Sequence, residues 1–361
     1  MRLDLGTLAV VVTLAGVLAL GGCASAPAIP AANVSPNGVP AGASAPRSSP
    51  QAAVRLDRAL EDRILALDPE RITPDDVANT LAKGPAPRII LLHGGIYGVH
   101  LVMESFGAFL AGMGYPEARI RHPGDARWSH SPYEDSARIA GFAAWAYEQD
   151  GMAPMLIGHS QGGIQVLKVL RELDGQYSDD VAVWDPLTDS ALPRTTIVDP
   201  LTGKSRPVRG LTISYASAAA AGGAALILPN QWSMIGKVRL VPDTVADFTG
   251  YSIVFDTWAW TNGVSPGGEF RATGTAQVRN VELPVTYNHV FFPWSADFPK
   301  DPAVRAWIEA YTPANIAKPV PLEEQGRSVL WTADVWFSVR KHWCLEAQRL
   351  IRARRAAEGR S

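Results

Sequence analysis

One pentapeptide in this chain is suited to nucleophilic chemistry: Gly158-His159-Ser160-Gln161-Gly162, which matches G-x-S-x-G. It follows the apolar run Met155-Leu156-Ile157 and opens the segment Gly162 to Leu173, where Ile164, Leu167 and Leu170 recur at helical spacing. A serine on a tight strand-to-helix turn projects its hydroxyl only if the residues two places to either side lack side chains. The helix behind it turns its positive end toward developing negative charge. The five residues alone arise often by chance. The strand before, the helix after and a further glycine at 163 give them weight. Acyl transfer also needs two N–H donors where a carbonyl oxygen becomes an anion. The N–H of Gln161 is one. His93-Gly94-Gly95 ends the apolar run Ile89 to Leu92, and the second donor is expected at Gly95, with Ile96 next to it.

These motifs, together with Asn288-His289, resemble the α/β-hydrolase superfamily, and within it bacterial lipases and esterases, over about residues 85–315. Where many lipases carry Pro-His-x-Gly after the strand that follows the nucleophile helix, this chain reads Ala216 to Gly223. The resemblance implies a Ser-Asp/Glu-His triad in that chain order. Of seven histidines, His100, His122 and His130 precede the serine, His93 belongs to the oxyanion turn and His159 to the serine turn. His342 falls in a helix with an apolar stripe of Trp336, Val339, Trp343, Ala347 and Leu350, and reads as a helix-surface residue. His289 is the expected base. Asp256, directly after Tyr251 to Phe255, is the expected acid. Asp243 and Asp247 are weaker choices placed in a cap, and Glu269 and Glu282 also stand between the two motifs. Asp185 and Asp199 precede prolines, which suits turns. Trp258, Trp260, Phe291, Phe292 and Trp294 flank the acid and base, as pocket lining or as loop packing.

The expected reaction is carboxylic ester hydrolysis through an acyl-enzyme, on a small-molecule or lipid ester, with no metal and no organic cofactor. Thioester or amide hydrolysis and acyl transfer use the same triad. A non-catalytic binding lipoprotein on the same fold is the alternative of another class.

The elements that must hold these groups alternate. Strands are expected at Ile89 to Leu92, Ala118 to Arg121, Met155 to Ile157, Leu211 to Tyr215, Tyr251 to Phe255 and Val278 to Leu283. Helices are expected at Val102 to Met113, Ser131 to Gln149, Gly162 to Leu173, Asp301 to Tyr311 and about 333–357, after an amphipathic helix over Leu56 to Leu67 and a short helix from Thr73 to about Leu81. The pattern predicts an α/β fold with a mostly parallel sheet and helices on both faces. Hairpin-like insertions are expected at about 175–209 and a cap at about 222–250.

The first residues read as an address. Leu5 to Leu20 is apolar apart from two threonines and ends in Leu20-Gly21-Gly22-Cys23. About 16 residues is short for a membrane span and suits a secretory h-region. The tetrapeptide resembles a bacterial lipobox, which implies cleavage before Cys23 and its acylation. Ala24 in place of Asp then implies outer-membrane sorting within a bacterial cell envelope. Residues 24–50 contain 21 Ala, Pro, Ser or Gly among 27, too few apolar groups to offset chain entropy, so the segment reads as a tether. The division is 1–22 signal peptide, 23–50 lipidated cysteine and tether, and 51–361 hydrolase domain.

With 33 Lys and Arg against 35 Asp and Glu, the chain lacks the basic excess of a nucleic-acid binder. Two cysteines exclude a disulfide framework and a multi-cysteine zinc site. With Cys23 acylated, Cys344 has no partner and reads as a buried free thiol. Residues 340–361 hold seven cationic against two anionic side chains, a solvated helix face or a surface for anionic lipid.

Overall fold

Ile89-Ile90-Leu91-Leu92 has no polar position on either side, the signature of a strand covered on both faces. The computed structural model describes residues 56–359 except 97, 254–255, 257, 260–267 and 316–328. In it this run is β1 (Ile89–Leu92) of a six-stranded sheet. The others are β2 (Ser129–His130), β3 (Met155–His159), β4 (Ile213–Ala219), β5 (Val245–Ile253) and β6 (Gln277–Leu283). They lie in the order β6-β5-β4-β3-β1-β2, and every neighbouring pair is parallel.

After two short leading helices, α1 (Arg58–Ala66) and α2 (Pro74–Asn79), the connecting helices cover both faces. Odd residues of β1, Ile89 and Leu91, pack with Phe106 and Phe109 of α3 (Val99–Gly112) and with Trp331, Trp336 and Trp343 of α7 (Val329–Glu358). Even residues, Ile90 and Leu92, pack with Ile139 and Phe142 of α4 (Ser136–Asp150) and with Ile164, Leu167 and Leu170 of α5 (Gln161–Leu173). The period-2 alternation of the strand thus sorts its side chains into two cores. Two antiparallel hairpins, Trp184–Asp185 with Ser190–Ala191 and Thr196–Val198 with Ser205–Pro207, make up the first insertion. Asp185 and Asp199 accept the N–H groups of Leu187 and Leu201, each at 2.9 Å.

The chain runs from β1 to the edge at β2, then crosses back to β3 on the other side of β1 and continues outward. The strand order therefore reverses between β1 and β3, and in open parallel sheets the crevice beyond the carboxyl ends at such a point is where ligands bind.

Three expectations require correction. Ala118 to Arg121 is not a strand; Glu117–Arg119 is a short 3-10 turn, and the edge strand is Ser129–His130. Arg119 is drawn to Asp150 at 2.7 Å and the Arg121 guanidinium lies over the Trp128 ring at 3.9 Å, leaving only Ile120 buried, too little to seat a strand. The cap is shorter than 222–250, because β5 already begins at Val245 and pairs along β4. Asp247 and Gly250 look like strand breakers. Asp247 is accommodated by Lys341 and His342, and Gly250 by the Phe270 ring, which lies where a Cβ would be. His342 is no surface residue: it is buried, stacked on Tyr215 with centroids 5.3 Å apart, and its Nε2 is 3.0 Å from Asp247 Oδ2.

The long C-terminal helix directs much of its charge inward. Arg340 donates to the carbonyls of Glu309 and Tyr311, Lys341 pairs with Glu70, and Arg355 pairs with Glu61 and Asp62. Cys344 is buried, and burial pushes its thiol up to about 12. Among the described residues no helix is long and apolar enough to cross a membrane.

Candidate active site

Ser160 stands between the end of β3 and the first residue of α5 with φ 55° and ψ −123°. A non-glycine residue in this region is strained, and such strain persists where surrounding structure enforces it. The enforcing contacts are backbone on backbone. A Cβ at Gly158 would strike the carbonyl of Gly162, and a Cβ at Gly162 would strike the carbonyls of Leu92 and His93. Glycine two places before and after the serine thus lets α5 press against both β3 and the end of β1. The Ser160 N–H bonds the Ala219 carbonyl at 2.8 Å, tying the turn to β4.

Ser160 Oγ lies 2.8 Å from His289 Nε2, and His289 Nδ1 lies 2.6 Å from Asp256 Oδ2. The structure thus brings together three residues from the loops after β3, β5 and β6. Both partners of the inner pair are nearly closed to solvent, with side chains 9% and 4% exposed. A carboxylate accepts only, so the imidazole proton sits on Nδ1 and Nε2 is free to accept from the serine hydroxyl. The second oxygen of Asp256 accepts the N–H groups of Trp258 and Ala259 at 3.0 and 3.3 Å, so the carboxylate is fixed before it meets the ring.

The loop of His289 is held in turn. Asn288 Oδ1 accepts the N–H groups of Val290 and Phe291, the Tyr287 hydroxyl accepts Leu330 N–H of α7, and Ser105 of α3 accepts the N–H groups of Ser295 and Ala296.

The glycine turn after β1 faces the same point. A Cβ on Gly94 would lie 3.2 Å from Ser160 Cβ. Among the described residues the N–H groups of Gly95 and Ile96 make no backbone hydrogen bond. Gln161 opens α5, so its N–H precedes the helix's own ladder. These N–H groups belong to the two turns that meet at Ser160, whose hydroxyl is already bonded to an imidazole, an arrangement able to stabilise an oxyanion and shuttle one proton.

His93, His122 and His130 have partners of their own. His93 Nδ1 is 2.8 Å from the Gly94 carbonyl oxygen, and burial pushes its pKa down. His122 pairs with Asp125 and His130 with Glu134, both at 3.0 Å. Burial, then His130 and Arg127, take His122 down to about 4. Asp243 accepts Thr275 and Ala276 N–H groups. Asp247, with His342, lines a separate cavity of about 390 Å³ near the amino-terminal ends of β4 to β6. Among the described residues no cluster of His, Cys, Asp and Glu could hold a metal ion.

The aromatic residues divide. Phe292 is buried, with its ring at right angles to those of His159 and Trp331. Trp258, whose ring centre is 6.3 Å from that of His289, is about half exposed, as are Phe291 and Trp294. Tyr97, Trp260 and Cys23 lie outside the described residues. Two contributors had no signal in the sequence. The Tyr133 hydroxyl donates to the Gly95 carbonyl at 3.0 Å, and the Gln161 side chain covers Gly95 so closely that a Cβ there would overlap its amide. Neither contact follows from spacing, because each joins loops brought together only by the sheet.

The chain was compared with protein-family models and with curated proteins; no family model and no curated protein matches it.

Proposed function

We propose that this domain is a serine hydrolase of the α/β-hydrolase fold that cleaves carboxylic esters through an acyl-enzyme. The observation that carries the reading is the continuous relay from Asp256 through His289 to Ser160, at 2.6 and 2.8 Å, ending on a serine held at positive φ. The strand order, with the serine after β3 at the reversal point, the acid after β5 and the histidine after β6, supports the fold assignment.

In this mechanism Ser160 Oγ attacks the ester carbonyl carbon while its proton passes to His289 Nε2. Asp256 stabilises the imidazolium and keeps its proton on Nδ1. The N–H groups of Gly95 and Gln161 bind the oxyanion, each contributing about 3–4 kcal/mol to the transition state. Collapse expels the alcohol, which takes the proton from Nε2. Water then attacks the acyl-enzyme by the same route and releases the acid. The steps draw on side chains, backbone donors and water.

The test is labelling of the purified protein with a fluorophosphonate, with the modified peptide mapped. Label on Ser160, together with aryl-ester turnover that disappears in Ser160→Ala, supports the reading. Unlabelled Ser160, or turnover intact in Ser160→Ala, overturns it. A parallel panel of esters, thioesters and amides sets the bond that is cleaved. We further propose that acylated Cys23 holds the domain to a bacterial membrane.

A further inference from the structure

The residue just before the nucleophile also reaches the base. His159 closes β3 and is fully buried. Its Nε2 lies 2.7 Å from the backbone carbonyl oxygen of His289. A carbonyl only accepts, so Nε2 carries the ring proton. Nδ1 is then a bare acceptor, buried and without a hydrogen-bond partner among the described residues. Burial first, and the nearby His289 ring second, push this imidazole down to about 3, so it stays neutral and remains a donor across the ordinary pH range.

A phenylalanine would fill the same space without stranding an acceptor, and unpaired buried polar atoms are unfavourable. The ring meets Phe292 edge to face at 4.8 Å between centroids, and on the other side a Cβ at Gly94 would lie 3.6 Å from Nδ1. The imidazole therefore sits between the glycine turn after β1 and the loop that carries the base. Among the described residues its one hydrogen bond goes to the base's own backbone.

We infer that His159 is a positioning residue: its Nε2–H fixes the main chain of His289, so that the imidazole meets the hydroxyl of the very next residue. Consecutive side chains thus grip His289 at both ends. His159 holds the carbonyl and Ser160 engages the ring. Because the two grips are covalent neighbours on a strained turn, a shift of the histidine loop relative to the nucleophile is resisted at the point where small displacement matters most. The inference rests on the reading of Ser160 and His289 as nucleophile and base.

The experiment compares His159→Gln, whose amide nitrogen can take the place of Nε2, with His159→Phe, which keeps the volume and removes the donor. Three quantities are read on the full chain: kcat and KM for an aryl ester, thermal midpoint, and the far-downfield proton resonance of the His289 Nδ1–H bond to Asp256. His159→Phe is expected to lower kcat by roughly ten- to a hundredfold, the scale of a small misplacement of reacting groups. KM should change little, and the downfield proton should broaden or vanish. His159→Gln should restore most of kcat and the resonance. If His159→Phe does not fold, His159→Met, also without a donor, replaces it. A folded donor-less variant with wild-type kcat and an intact downfield proton overturns the inference, as does equal loss in the Gln variant. If the wild type shows no turnover and no label on Ser160, the hydrolase reading fails by itself. The downfield proton then judges the positioning role of His159 alone.

Discussion

Asp256 and His289 are joined at 2.6 Å between Oδ2 and Nδ1, while the other oxygen of the same carboxylate is held by two backbone N–H groups. The bond dictates the tautomer. Asp256→Asn keeps the shape but can turn an amide N–H toward Nδ1, which drives the ring proton to Nε2 and removes the acceptor for the serine hydroxyl. Loss of kcat on the order of 10⁴-fold is expected with little change in thermal midpoint. Steady-state kinetics beside a melting curve check it, and near-normal turnover would remove Asp256 from the proposed triad.

The glycines around Ser160 predict two different failures. Gly162→Ala drives a methyl into the carbonyls of Leu92 and His93, which belong to the sheet and its end and cannot turn aside. Destabilisation of about 1–3 kcal/mol is expected, as for other overpacked sites, visible as a lowered denaturation midpoint. Gly95→Ala meets the ends of the Gln161 and Tyr133 side chains instead, which can move. That variant should fold near its normal midpoint and lose roughly 10²- to 10³-fold in kcat as the proposed oxyanion donor is displaced.

These contrasts also show what the sequence could and could not disclose. The turn at Ser160 was legible because so tight a strand-to-helix turn requires glycine at fixed offsets and a strand and helix on either side. β1 and β3 were legible because burial on both faces leaves an unbroken apolar run. The start of β5 was not, since Asp247 and Gly250 are unfavourable in isolated strands and are tolerated only through His342, Lys341 and Phe270, all distant in sequence. The same long-range pairing turned His342 from an expected surface residue into a buried one. The roles of Tyr133 and His159 were hidden for a related reason: each acts on a backbone carbonyl, which leaves no mark on residue type.

The proposed anchor makes a simple prediction. In cells that process lipoproteins, the protein should fractionate with membranes and incorporate labelled fatty acid. Cys23→Ala should abolish the label and move the protein to the soluble fraction. Acyl incorporation that survives the substitution would refute acylation at Cys23.

Asp334 of α7 is fully buried and is met by both arms of the Arg279 guanidinium at 2.6–2.7 Å, by the Tyr311 hydroxyl at 2.7 Å and by the Tyr251 hydroxyl. One carboxylate thus joins α7 to β5, β6 and the segment after α6 (Pro302–Ala310). Burial raises the phenol pKa of Tyr251 and Tyr311, and Asp334 raises both further, so both remain donors. Asp334→Leu leaves Arg279 partly buried without its counter-charge. A loss of about 3–5 kcal/mol is expected from chemical denaturation, the range for breaking one side of a buried pair. Asp334→Asn should lose less, because an amide oxygen can still accept.

Stability should fall on the acid side well before the carboxylates titrate. Burial pushes His159 down to about 3 and His122 down to about 4 in the folded protein. In the unfolded chain an imidazole titrates near about 6.5. Between about pH 6.5 and 4, therefore, the unfolded state binds protons that the folded state refuses, and stability decreases as pH falls. Each such histidine adds a slope of up to about 1.4 kcal/mol per pH unit once the unfolded form is fully protonated. Glu134 acts later. Burial would raise its pKa, but the His130 ring, the Ser131 N–H and Arg127 hold it at about 2. Its contribution is present above the unfolded carboxylate value of about 4.3 and is lost as pH falls through about 2. Urea denaturation at pH 7, 6 and 5 checks the histidine term. His122→Phe should flatten the slope by up to one proton's worth, and an unchanged slope would show that His122 does not stay neutral in the folded protein.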